Sequence, residues 1–144
     1  MLTHALSAFF GSDGSFFPLA HRDTPNGLRE NCCIVTSATE PSLIDHHIIA
    51  AVESAQTSVQ VSTYLVQEKS EVLSSLLRAC SRGLEVKMLT HTSPHNAGVL
   101  EPLHEAGAKI VGLEWLHAKF VACDDDVLLF HSQNMANPTT ERSF

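Results

Sequence analysis

From Pro41 to Val111 the chain alternates between stretches with the 3.6-residue apolar period and short β-favouring runs, and few folds accept that rhythm. Ile44, Ile48, Ala51, Val52 and Ala55 recur at helical spacing behind Pro41, a residue tolerated in a first turn, where its missing N–H costs least. Ser58 to Tyr64 then reads as a strand through Val59 and Val61. Ser70 caps a second helix bearing Val72, Leu73, Leu76, Leu77 and Cys80, which Gly83 ends. Leu84, Val86 and Met88 alternate with Glu85 and Lys87, the period of a strand. Val99, Leu100 and Leu103 predict a third helix closing at Gly107, with an early turn or kink at Pro102, and Ala108 to Val111 predicts another strand. Strand–helix alternation of this kind builds an α/β fold on a largely parallel sheet.

The last third departs from the rhythm. Leu116–Cys123 and Val127–His131 are β-runs joined by Asp124, Asp125 and Asp126, too short a link for a crossover helix, so they predict an antiparallel hairpin. Cys32 to Thr36 is a further β-rich run. Residues 1–30 scatter Gly11, Gly14, Pro18, Pro25 and Gly27 among Phe9, Phe10, Phe16 and Phe17 without a period, which reads as an irregular arm before a domain spanning 31–144.

Composition limits the partners. With 44% hydrophobic and 17% charged residues the chain can bury a core, and 144 residues suit one domain. The net charge of −7, with lysine only at 69, 87, 109 and 119, argues against gripping a duplex through a broad basic surface. No apolar stretch approaches the roughly 20 residues of a membrane-spanning helix. Cys32, Cys33, Cys80 and Cys123 lie mostly within apolar runs, the pattern of reduced buried thiols, and the N-terminus lacks a basic start and apolar core; both predict a cytoplasmic setting.

If Leu116–Cys123 is extended, alternation places His117 and Lys119 on one face, about 7 Å apart along the strand. An ammonium on so apolar a strand calls for an anion, and phosphate is the anion a neighbouring imidazole can attack. Ser132 and Asn134 follow the hairpin with hydroxyl and amide donors, and a helix starting there would add free N–H groups. Neither the pair His46 and His47 nor His91 with His95 has matched cysteine or carboxylate ligands, so these read as surface histidines and no metal is expected. Trp115 reads as core packing.

At these positions the sequence resembles the phospholipase D superfamily, whose signature runs H-x-K, four residues, D, about six residues, then G-S-x-N. The chain has His117-Ala118-Lys119, four residues, Asp124, six residues, and His131-Ser132-Gln133-Asn134. The segments Ile48–Ala55 and Leu76–Lys87 look like the family's helix-to-strand passages. The resemblance implies a three-layer α/β/α domain with a mostly parallel mixed sheet. It implies phosphodiester hydrolysis or transfer on nucleic acid or phospholipid, through a phosphohistidine and without metal or other cofactor. His117 carries over as nucleophile or general acid, Lys119 and Asn134 as phosphate clamps, Ser132 as a supporting donor, and Asp124 as an orienting or structural carboxylate within the catalytic set.

None of the other eight histidines has a lysine two positions on. The resemblance therefore implies a partner, either a homodimer mate or a second phospholipase D-like half. His131 stands where the family has glycine, which narrows the pocket. The family's pattern continues to an acidic residue on a later strand, close to where this sequence ends; Glu141 is the nearest carboxylate, so the resemblance implies a domain lacking its final strand and helix. The alternative reading is a non-catalytic remnant or binding module of the same fold; a metal hydrolase using the histidines is a third.

Overall fold

The computed structural model describes residues 43–135. Within them the chain forms α1 (Leu43–Ser54), β1 (Ser58–Thr63), α2 (Glu71–Ser81), β2 (Glu85–His91), α3 (Pro94–Glu105), β3 (Lys109–Leu113), β4 (Phe120–Cys123) and β5 (Val127–Phe130). The arm over 1–30, the β-rich run at Cys32–Thr36 and Glu141 lie outside the described residues.

Local signals set the helix ends. Ser70 accepts from the backbone N–H of Leu73, and Ser93 caps α3 the same way through Asn96. Pro94 occupies the first turn of α3, where its lost N–H is no loss. The helix then runs on through Pro102 to Glu105, so the expected kink does not end it. Gly83 and Gly107 adopt φ of +84° and +100° just past α2 and α3. Each sits in a doubly bonded reverse turn: Gly83 donates to Cys80 O and Leu84 to Ala79 O, and Gly107 donates to His104 O and Ala108 to Leu103 O.

The sheet order is β3-β2-β1-β4-β5. β1 pairs with β2, and β2 with β3, in parallel, as the two helical crossovers require. β4 pairs antiparallel with both β1 and β5, which confirms the hairpin and makes the sheet mixed. One face carries Val59, Val61, Val86, Met88, Val121, Cys123 and Val127 into a single apolar cluster with the buried faces of all three helices. Glu53 of α1 ties the helical layer together through Arg78 and Arg82. The second helical layer of a three-layer domain does not fall among the described residues, and the opposite sheet face bears Phe120 against Phe130 with ring centroids 6.1 Å apart.

Leu76 is fully buried at the centre of this cluster. Leu76→Ala is expected to lower unfolding free energy by about 2–5 kcal/mol, read as a lower urea midpoint at unchanged slope.

Candidate active site at the carboxyl ends of the parallel strands

In a parallel sheet the carboxyl ends of neighbouring strands open onto one crevice, where loops can converge on a ligand. Here that end gathers Tyr64 just after β1, His91 at the end of β2, the segment entering β4 and the segment leaving β5. The strand holding the H-x-K residues is shorter than its sequence predicts: β4 starts at Phe120, so His117 and Lys119 lie in the approach to it. The approach is nonetheless fixed. Ser62, fully buried on β1, donates its hydroxyl to Ala118 O at 2.8 Å, and His131 N donates to Lys119 O at 3.2 Å.

Those two bonds bring the imidazole and the amine together as expected. Lys119 Nζ donates to His117 O at 3.0 Å and lies 3.4 Å from His117 Nε2. An ammonium only donates, so in the tautomer with an unprotonated Nε2 this long contact is a hydrogen bond onto that nitrogen. His117 is exposed, whereas Lys119 is 6% exposed. Among the described residues no carboxylate lies within ion-pair distance of the Lys119 ammonium.

Tyr64 and His91 complete the constellation, and the sequence reading passed over both. The Tyr64 ring stacks on His91 at 4.7 Å and 20°, meets His117 at 5.3 Å, and has Lys119 Nζ 6.0 Å from its centroid. His91 is therefore no surface histidine. Asn96, 1% exposed, fixes the two loops beneath it: its amide donates to Tyr64 O, Thr90 Oγ1 and His91 O, and its carbonyl accepts from Val66 N. His95, read with His91 as a surface residue, is exposed as expected, and its Nε2 meets Val66 O at 2.9 Å. One signal was legible, since Tyr64 and His91 end two adjacent parallel strands.

The segment 131–135 closes the far side without forming a helix. Met135 N donates to Leu65 O, Gln67 N donates to Met135 O, and Gln133 donates to the buried Asp45 carboxylate at 3.0 Å. Asn134 Oδ1 and both ring nitrogens of His131 are buried with no hydrogen-bond partner among the described residues, while Ser132 is exposed. Burial pushes the His131 imidazole below its ordinary value; the nearby Gln133 backbone opposes this and the Lys119 charge adds to it. Trp115, expected in the core, is instead 94% exposed.

Asp124 is at the other end of the sheet. β4 separates it from Lys119 by about 16 Å at strand rise, and its carboxylate binds the turn before β1. Oδ1 accepts from Thr57 N, Thr57 Oγ1 and Ser58 N, and Oδ2 from Gln56 N, all within 2.9 Å. Its φ of +51° is one that aspartate tolerates better than most residues. Burial alone would raise its pKa, but the hydrogen bonds from Ser58, Gln56 and Thr57 together outweigh it and hold the carboxyl at about 2. Asp124 thus sits at the turn before β1, apart from the His117–Lys119 pair with which the resemblance grouped it. Cys123 beside it is the buried thiol its sequence context predicts, pushed up to about 12 by burial and then by the Asp124 charge.

Comparison with known proteins agrees with this fold. The family described as cardiolipin synthase, PLD-like domain, matches residues 48–144. Nuc from Salmonella typhimurium, a phospholipase D family member, superposes with a TM-score of 0.57 at 19% identity, covering 64% of this chain and 64% of Nuc. NucT from Helicobacter pylori superposes with a TM-score of 0.55 at 20% identity, covering 68% of this chain and 70% of NucT. The chain thus spans less than two thirds of the length of Nuc. No curated protein sequence matches it.

A carboxylate whose folded pKa lies below its ordinary value contributes stability that is present above about pH 4 and is lost as pH falls towards 2. Asp124→Asn turns an amide towards the N–H of Gln56 and removes that contribution. Acid titration of unfolding is expected to show a flatter slope between pH 4 and 2 for the variant, with stability at pH 7 lower by about 1–3 kcal/mol.

Proposed function

Because the chain belongs to the phospholipase D-like family, we propose that it cleaves or transfers phosphodiesters without metal, through a phosphohistidine on His117. The observation that carries this reading is the buried Lys119 ammonium beside His117, with no carboxylate partner among the described residues. Burying a cation without a counter-charge is costly, and an anionic phosphate entering between Lys119 and His117 would remove that cost. With Lys119 turned to the phosphate oxygens, an unprotonated His117 Nε2 has the lone pair that attacks phosphorus. In the reaction Lys119 stabilises charge on the equatorial oxygens, with Asn134 and Ser132 as further clamp and donor. The N–P bond forms as the P–O bond breaks, and water or an alcohol then displaces the histidine. A second imidazole must protonate the leaving oxygen. In the family's arrangement it comes from a second motif, here in a homodimer mate or another phospholipase D-like half. Nucleic acid and phospholipid are the two substrate classes the family offers.

A remnant reading has one observation in its favour: His131 stands where the family has glycine, with both ring nitrogens buried and feeling the Lys119 charge. Turnover of bis(4-nitrophenyl) phosphate in excess EDTA decides between them. The wild type is expected to turn over and to yield an acid-labile phosphohistidine, His117→Asn to lose both, and Lys119→Met to fall about 10²–10³-fold. Wild-type chain with neither turnover nor a trapped phosphohistidine would establish the remnant.

A further inference from the structure

We propose that the outer edge of β5 is a docking edge for the chain's own segment Cys32–Thr36, which pairs with it as a further, parallel strand. This goes beyond the phosphodiesterase reading and does not depend on it. Among the described residues β5 pairs with β4 alone and forms one end of the sheet. Its ladder shows which groups face outward. His131 N donates to Lys119 O, so residues 127, 129 and 131 turn their backbone groups towards β4, and Leu128 and Phe130 turn theirs away. Val127-Leu128-Leu129-Phe130 carries no charge, and an apolar edge of this kind invites pairing with another strand.

Connectivity selects the occupant and its place. β1–α2–β2 and β2–α3–β3 both step from β1 towards β3 with their helices on one face of the sheet, and α1 shares that face. A parallel strand leading through α1 into β1 keeps the same right hand only if it steps in the same direction. It therefore starts on the side of β1 away from β2, and α1 does lie that way, against β4. β4 and β5 hold the first two places on that side, which leaves the outer edge of β5. Direction agrees as well: β5 is antiparallel to β4 and β4 to β1, so β5 runs parallel to β1, as does any strand that enters β1 through a single helix. The edge at β3 is excluded, because a crossover from there through α1 would be left-handed.

Cys32-Cys33-Ile34-Val35-Thr36 is the run before α1 with strand character, uncharged and ending in three β-branched residues. Residues 37–42 then lead to Leu43, a reach of up to about 20 Å that covers the rise from sheet edge to helix layer. The other tail, 136–144, has Pro138 and no apolar run, so it is the poorer strand. Pairing of Cys32–Thr36 braces the strand from which His131, Ser132 and Asn134 depart. It also brings 37–42 to the carboxyl end of the sheet, next to Asp45 and its partner Gln133.

NMR of the full chain tests the pairing through amide exchange and cross-strand NOEs. In the wild type the Leu128 and Phe130 amides are expected to exchange about 10²-fold or more slowly than in an unstructured peptide, as Leu129 does through β4. NOEs are expected between residues 33–35 and 128–130. Ile34→Pro and Val35→Pro remove N–H groups from opposite sides of the segment, so at least one of them deletes a bond to β5. That variant should lose about tenfold or more of the protection at Leu128 and Phe130 while keeping it at Leu129. If Leu129 is lost too, the variant has unfolded and the wild-type NOEs decide. Wild-type Leu128 and Phe130 amides exchanging as in an unstructured peptide, no NOEs to 33–35, or protection unchanged in both variants would overturn the pairing. Protection that rises with protein concentration would also overturn it, by giving the edge to a second copy of the chain.

Discussion

Much of the site follows from one cation placed where water scarcely reaches. Lys119 is 6% exposed, its ammonium donates to the carbonyl of His117, and the described residues offer it no carboxylate. A lysine in an apolar wall is stable only if other groups fix it and something negative can approach. Ser62 holds the carbonyl of Ala118, and His131 N holds that of Lys119 itself. Tyr64 offers its ring to the cation, and the 131–135 segment is fastened to α1 through Gln133 and to the β1 exit through Met135. These contacts orient an amine and an imidazole towards one point.

The two ends of β4 divide the labour. Its entrance carries His117 and Lys119, and its exit carries Asp124, whose carboxylate draws in three successive backbone N–H groups of residues 56–58. Those are the residues that lead into β1, so Asp124 sets where β1 begins and Ser62 on β1 then sets where Ala118 sits. A four-residue strand thereby connects the Asp124 anchor to the His117–Lys119 pair, and the motif's spacing measures that strand.

Helix periods, the Ser70 cap, the Gly83 and Gly107 stops and the hairpin were legible because each depends on neighbours within a few residues. The same locality explains the errors. Alternation over Leu116–Cys123 predicted a longer strand, but pairing begins only where β1 and β5 supply partners, at Phe120. Trp115 looked like core by residue type, yet the turn after β3 leaves it in solvent. His91 looked superficial because nothing adjacent in sequence marks it; Tyr64 and Asn96 do so only in space.

The order of residues determined by itself an α/β chain, the position of the lysine beside His117 and the family to which its H-x-K spacing points, since all three reside in short-range pattern. Which histidine stands beside Tyr64, which carboxylate serves the fold and which serves no reactive cluster, and how deeply Lys119 is enclosed were decided only by tertiary structure. The reason is geometric: parallel pairing of β1 with β2 and antiparallel pairing of β1 with β4 bring residues 64, 91 and 117 together, while the rise of one short strand carries residue 124 away.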